Sequence, residues 1–221
     1  MYLILKRIID IILSSIAIIL FSPILILIII ILKLTGEGEI FYLQERVGHK
    51  TKSFMIYKFA TMVKNSPNIG TGDVTLRNDP RVTKAGKFLR ESKLNELPQL
   101  FNIFMGDISV TGPRPLMRVG FNRYSLNFQN SVYNVKPGLT GIGSIVFRDE
   151  ERILTESELT AHECYKEIIL PYKGELEIWY QTNCSLFLDL QLIFMTAWVI
   201  IAPSSKLYEK WFKNLPKRNF N

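Results

Sequence analysis

From Ile11 to Leu32 the chain runs for 22 residues without a charge. As a helix, such a run is long enough to cross a hydrocarbon core of about 30 Å. It is too long for a cleavable signal peptide, and no A-x-A-like site follows it. The rest of the chain must therefore fold beside a membrane anchor. Ser22-Pro23 falls at the middle of the run. Proline lacks a backbone N–H and its ring crowds the carbonyl four residues back, which predicts a kink there. Lys6, Arg7 and Asp10 precede the run and Lys33 follows it. Basic residues favour the cytoplasmic side. Here they flank both ends, as expected of a segment that enters and leaves by one face. A mildly kinked helix that crosses the bilayer fits the same residues, because membrane helices tolerate proline.

The remaining length suits one domain, giving an anchor over residues 1–35 and a folded domain over 36–221. The sequence carries 27 Lys and Arg against 20 Asp and Glu, a net charge of +7. That balance suits an anionic partner: nucleic acid, lipid headgroups or a phosphorylated small molecule. No basic recognition helix, zinc spacing or stacking-aromatic signature points to nucleic acid. The two cysteines, Cys164 and Cys184, make no disulfide framework, which suits a reducing compartment. His49 and His162 have no metal-ligand spacing with them.

The pattern predicts an extended segment over residues 39–47 and a strand over 53–59. Residues 64–80, rich in Asn, Gly, Pro and Asp, read as a loop long enough to serve as a lid. Ser92 reads as the N-cap of a helix in which Asn95 takes the third position. Leu97, Leu100, Phe101 and Phe104 then recur at helical spacing as core. Residues 116–133 read as a helix and 142–147 as a short strand. Thr155 to Glu158 reads as a capping box that opens a helix towards Leu170, interrupted at Pro171 and Gly174. Residues 186–202 are a second apolar stretch. Their length, with Asp189 and Gln191 inside, marks a buried or interfacial helix and not a second crossing. Lys206, Lys210, Lys213, Lys217 and Arg218 mix with Tyr208, Trp211 and Phe212 in a tail suited to headgroups.

Leu89 to Pro115 reads LRESKLNELPQLFNIFMGDISVTGPRP. This resembles the pattern LRxxSLDELPQLxNxxxGxMSxxGPRP of the small monotopic phosphoglycosyl transferases, the bacterial sugar transferase family. Four shorter stretches agree. Lys58 to Met62 resembles the family's KFRTM, and Asp79 to Gly86 its DPRxTxxG. Val135 to Gly141 matches RPGxTG, and Leu176 to Asn183 resembles LDxWYxxN. The resemblance implies a mostly helical α/β fold. The protein would be monotopic, with a re-entrant helix broken at Ser22 and Pro23 and amphipathic interfacial helices. It also implies a place on the cytoplasmic face of a bacterial inner membrane, with both termini cytoplasmic. The implied reaction transfers a phosphosugar from a UDP-sugar to polyprenol phosphate, giving UMP and a polyprenyl diphosphosugar, at the start of surface-glycan assembly. Membrane lipid and downstream glycosyltransferases are the other implied partners.

Two anionic substrates must meet in that reaction, so cationic groups must offset their charge. Arg90 and Arg114 are the leading candidates, because a guanidinium presents a planar donor fork to phosphate oxygens. Pro113 and Pro115 fix the backbone on either side of Arg114. Lys58 and Arg81 are further candidates. By resemblance, an Asp carboxylate attacks the sugar-bearing phosphate and an adjacent Glu completes the dyad, with Mg²⁺ bridging carboxylate and diphosphate oxygens. Those positions are Asn95 and Glu96 here. Asn95 is a neutral amide, Ala60 replaces the family's arginine and Lys93 its usual serine. Several accounts stay open: a trapped variant, a paralogue that binds without turnover, a nucleophile displaced to Glu96 or Asp107, or direct transfer without a covalent step.

Overall fold

The computed structural model describes residues 1–35, 37–69, 79–203 and 205–217. Most of the expected lid loop lies outside them. The described residues are mainly helical, with four short strands. In order they form α1 (Tyr2–Leu34), β1 (Phe41–Val47), β2 (Ser53–Phe59), α2 (Lys84–Glu91), α3 (Gln99–Met105), β3 (Ser109–Thr111), α4 (Arg118–Phe121) and α5 (Leu126–Ser131). There follow β4 (Gly138–Thr140), α6 (Ile142–Val146), α7 (Glu150–Glu156), α8 (Ala161–Cys164), α9 (Leu170–Asn183), α10 (Leu186–Ile201) and α11 (Leu207–Trp211). The chain divides into two compact units. One comprises Met1–Asp10, Glu45–Phe54 and Gly106–Asn221; the other comprises Ile11–Gln44 and Met55–Met105.

Helix α1 is continuous through Pro23. Proline has no N–H to give to the Ile19 carbonyl, which would otherwise be orphaned. The Ser22 hydroxyl donates to that carbonyl at 2.8 Å. Among the described residues α1 is the one helix long and apolar enough to cross a membrane.

In the second unit, Leu25, Ile28 and Leu32 of α1 lie on one helical face and pack against Phe59 of β2 and Leu89 of α2. Thr83 caps α2, its hydroxyl accepting from Gly86 N–H at 2.9 Å. Gly86 itself must be glycine, since a Cβ there would sit 2.0 Å from the Thr61 carbonyl oxygen. Ser92 ends α2 instead of opening a helix. Its hydroxyl returns to the Phe88 carbonyl at 2.7 Å, and Lys93 follows in the left-handed region at φ 60°. A 3₁₀ turn over Leu94–Glu96 leads to α3. Helix α3 buries Leu100, Asn102 and Ile103, whereas Phe101 and Phe104, expected in the core, are exposed. The Asn102 amide takes their place as the anchor: it accepts from Tyr57 N–H at 2.9 Å and donates to the Met55 carbonyl at 2.8 Å.

The first unit is built on α9 and α10. Leu176, Tyr180, Leu192 and Met195 bury their side chains against Ile142 and Ile145 of α6. Ile142–Val146 are thus helical, with Phe147 as the C-cap, where a strand over residues 142–147 was expected. The helix expected over residues 116–133 is instead α4, α5 and a 3₁₀ turn over Val132–Asn134. Strands β3 and β4 pair in parallel, with Ser109 opposite Gly138 and Thr111 opposite Thr140. Thr155 and Glu156, expected to open a helix, instead end α7; a capping box forms further on, where Thr160 N–H donates to the Glu163 carboxylate at 3.1 Å and Glu163 N–H to the Thr160 hydroxyl at 3.3 Å. From there α8 continues through a π turn over Tyr165–Ile169 into α9. Neither Pro171 nor Gly174 interrupts it: the helix runs on through both, with the π turn falling just before Pro171, which has no N–H to give.

Asp189 of α10 organises the same unit. Its carboxylate accepts from Tyr2, Lys6, Thr111 and Tyr180 at 2.9, 2.8, 2.7 and 2.7 Å. Nearby Asp10 accepts from the Ser109 hydroxyl and Val110 N–H. The first ten residues of α1 are therefore tied by buried polar groups to the core. Lys6, one of the basic residues that flank the apolar run in the sequence, is an internal ion-pair partner.

Candidate active site

In the second unit, β2 carries Lys58 and the turn after α2 carries Asn95 and Glu96. The Lys58 ammonium meets a Glu96 carboxylate oxygen at 3.3 Å, with the two side chains 17% and 20% exposed. The turn exists because Ser92 and Lys93 stop α2 early, which swings Leu94–Glu96 out of the helix and under Lys58. Leu94 and Leu97 pack against the cluster of Leu25, Ile28, Leu32, Phe59 and Leu89 and so hold the turn in place. The Asn95 side-chain oxygen is buried and has no hydrogen-bond partner. A buried orphan acceptor costs about 1–3 kcal/mol, a cost that a ligand at this position would remove. Arg90, one turn back on α2, is part-exposed, and its guanidinium has no hydrogen-bond or ion-pair partner among the described residues.

Arg81 behaves differently. Its guanidinium pairs with Asp79 at 2.6 Å and also donates to the carbonyls of Ser66 and Ile69, both at 3.0 Å. At 3% exposure it serves the fold, and its fork is turned inward, away from any phosphate in solvent.

Magnesium takes oxygen donors and is commonly held by one or two carboxylates together with substrate phosphates. Among the described residues no three His, Cys, Asp or Glu gather into a metal cluster. Asn95 and Glu96 offer two adjacent oxygen donors, one of them unpartnered, which fits an ion completed by a diphosphate.

Pro113, Arg114 and Pro115 belong to the first unit. Every peptide group of this segment is held. The Pro113 carbonyl accepts from Gly138 N–H at 2.9 Å, and Arg114 N–H donates to the Glu177 carboxyl at 3.3 Å. The Tyr133 hydroxyl donates to the Arg114 carbonyl at 2.8 Å and accepts from Leu116 N–H at 2.9 Å. Arg46 donates to the Pro115 carbonyl at 3.1 Å. Glu177, Tyr133 and Arg46 had no role from sequence. Of these only Glu177 carried a signal, standing where the LDxWYxxN pattern has its acidic residue.

The model of the bacterial sugar transferase family matches residues 1–203. The chain is 34% identical over 207 residues to an Aeromonas hydrophila UDP-N-acetylgalactosamine-undecaprenyl-phosphate N-acetylgalactosaminephosphotransferase, covering 90% of this chain and 44% of that one. It is 38% identical over 194 residues to a Klebsiella pneumoniae UDP-glucose:undecaprenyl-phosphate glucose-1-phosphate transferase, covering 86% of this chain and 39% of that one. The exopolysaccharide production protein ExoY of Rhizobium meliloti is 33% identical, over 86% of this chain and 83% of its own length. The chain thus spans about two fifths of the first two relatives and most of the third. With the family model covering all but its last 18 residues (221 less 203), the chain belongs to the bacterial sugar transferase family.

Proposed function

We propose that this protein transfers a phosphosugar from a UDP-sugar to a polyprenol phosphate at a membrane surface, releasing UMP. The observation that carries the reading is the motif Leu89–Pro115 within a family match that covers nearly the whole chain. The similar transferases differ in the donor they name, N-acetylgalactosamine in one and glucose in another, but share undecaprenyl phosphate as acceptor. The acceptor is accordingly the component we carry over, and the sugar is left as a class. The product would feed downstream glycosyltransferases.

Arg90 and Arg114 are proposed as phosphate contacts, and Lys58 as the cation that orients Glu96. Mg²⁺ held by Glu96 and Asn95 would neutralise diphosphate charge. In the family scheme a carboxylate oxygen attacks the sugar-bearing phosphorus and the bond to the UMP phosphate oxygen breaks. The polyprenol phosphate oxygen then displaces the carboxylate. The carboxylate available in this turn is Glu96, since Asn95 is a neutral amide. That one substitution also favours a second reading, a protein that binds these substrates without turnover.

Incubation with a panel of UDP-sugars and polyprenol phosphate separates the two. UMP release by the native chain supports transfer, and a phosphosugar adduct on Glu96 by intact mass identifies the nucleophile. Release without an adduct points to direct transfer. Asn95→Asp is nearly isosteric and should release UMP faster and accumulate an adduct at position 95. An inert native chain beside an active Asn95→Asp variant establishes the binding role; two inert proteins would sink the transferase reading.

The anchor is proposed to be re-entrant on the cytoplasmic face of the inner membrane. Support comes from the first unit, in which Met1–Asp10 and Glu45–Phe54, on either side of the apolar run, belong to one compact body. Helix α10 adds an exposed stripe, Phe187, Leu190, Phe194, Trp198 and Ile201, at spacings of three and four that define one helical face. Lys206, Lys210 and Lys213 follow closely, as an interfacial helix on anionic lipid requires.

A further inference from the structure

We propose that Glu177 is a positioning residue for Arg114, and that an anion bound by Arg114 draws a proton onto the Glu177 carboxyl. This rests on the reading of Arg114 as a phosphate contact. One Glu177 oxygen accepts Arg114 N–H at 3.3 Å; the other is buried without a partner. The side chain is 6% exposed and faces a small cavity lined by Arg114, Tyr124, Phe128, Tyr133 and Lys173. Nothing can approach from α6, because Gly143 lies so close that a Cβ there would stand 2.4 Å from the carboxyl oxygen. Among the described residues, charged and titratable groups reach it from several elements, including Arg46 of β1, which donates to the Pro115 carbonyl. From its own helix comes Lys173, whose ammonium is paired with Glu150 of α7. From the proline-flanked segment comes Arg114, and from the residues around α5 come Tyr124 and Tyr133.

Burial raises the Glu177 pKa to about 7, against the lowering pull of Arg114 N–H and of the Lys173 and Arg114 charges. The carboxyl thus changes charge near neutrality beside a residue meant to hold phosphate. Its two forms are not equivalent for that task. Ionised, Glu177 is a rival anion for the field of Arg114. Protonated, it keeps an oxygen for Arg114 N–H and no longer competes with a bound anion for the field of Arg114. Coupling between two sites is reciprocal. If the Arg114 charge favours ionised Glu177, a diphosphate that neutralises Arg114 must favour the protonated form. A UDP-sugar's two phosphate groups are strongly acidic and do not titrate near neutrality, so protons taken up on binding come to the protein.

Two measurements test this. The first needs no ligand: amide protection of Arg114 by hydrogen exchange in native, Glu177→Gln and Glu177→Ala proteins in detergent. Glutamine keeps the acceptor and should retain protection, while alanine should lower it about ten-fold. Equal protection in the native and alanine proteins would overturn the positioning role. The second is calorimetric titration with UDP-glucose and UDP-N-acetylgalactosamine from pH 6 to pH 8, in buffers of different ionisation heat. The native chain should take up protons and lose affinity several-fold across that range. Glu177→Gln should bind with a flat profile and no proton uptake. Proton uptake that persists in Glu177→Gln, or that is absent in the native protein while it binds, would overturn the linkage. A native chain that binds neither nucleotide sugar would remove Arg114 as a phosphate contact and the linkage with it, and leave the exchange result to decide the positioning role by itself.

Discussion

Arg81 and Arg90 sit nine residues apart in sequence and should respond oppositely to truncation. Arg81→Ala strands the buried Asp79 carboxylate, and breaking a buried pair in this way costs about 3–5 kcal/mol. Thermal unfolding in detergent should show the loss, and the folded fraction should bind UDP-sugar with native affinity. Arg90→Ala should leave the unfolding temperature unchanged and weaken binding by about 1.5–3 kcal/mol, the range for a hydrogen bond to a charged group. Reduced binding by folded Arg81→Ala protein would show that the fork reaches the ligand after all. Glu177 makes a prediction of its own. Its folded pKa of about 7 lies above the ordinary 4.5, so between those values the native state holds more protons than the unfolded chain. Stability therefore falls as pH rises through that window, by about 1.4 kcal/mol for each unit of displacement. Glu177→Gln should flatten the unfolding temperature between pH 5 and pH 7.5, and a native profile already flat there would refute the shift. Asn95 and the arginines could be picked out from residue type and motif position alone. Whether a guanidinium faces solvent or a buried carboxylate could not, because that depends on which side chains the folded backbone brings beside it.

At the scale of elements, local signals were read well where a side chain acts on its own backbone and poorly where tertiary packing decides. Strand β2 runs over Ser53–Phe59, the residues its pattern marks. Residues 142–147 have the apolar, β-branched look of a strand but bury as α6 against α9 and α10, where tertiary contact overrides propensity. Ser92 shows a subtler failure: serine bonds a helix carbonyl as readily as it caps an N-terminus, and only the left-handed Lys93 decides between them. Asp189 marked residues 186–202 as a buried or interfacial helix in the sequence, and in the fold its carboxylate accepts from four donors. Asp189→Ala would leave Lys6 buried and unpaired and should cost about 3–5 kcal/mol. Combining Lys6→Met with Asp189→Leu should recover much of that loss, since replacing both charges by apolar groups is often neutral or better. Unfolding temperatures of the single and double variants in one detergent make the comparison. An Asp189→Ala protein as stable as the native one would show that the network adds nothing to the docking of α1.

For the whole molecule the question is how a 33-residue helix, about 50 Å long at 1.5 Å per residue, lies relative to the bilayer. Flanking charges suggested that it returns to the face it entered, yet Lys6 is consumed by Asp189 and cannot act as a free topological charge. The proposed return of the segment to one face draws its support from other observations. At the N-terminal end, residues before Asp10 share a polar core with β3 and α10. Towards the C-terminal end, Leu25, Ile28 and Leu32 are buried with Phe59 of β2 and Leu89 of α2. A crossing would place the two ends of α1 on opposite sides and would separate Met1–Asp10 from Glu45–Phe54, which belong to one compact unit. The exposed Ile12, Ile16, Ile19 and Leu20 suit contact with lipid, and Ser22 satisfies the Ile19 carbonyl, as an apolar surrounding would require. Cysteines at Leu3 and Thr35, in a background with Cys164→Ala and Cys184→Ala, read the outcome. In intact cells an impermeant thiol reagent should label neither position, and after permeabilisation it should label both. Labelling of one position alone in intact cells would require a crossing helix. It would also require the polar ties of Lys6 and Asp10 to be absent in the membrane, so the Asp189→Ala stability change should then vanish as well.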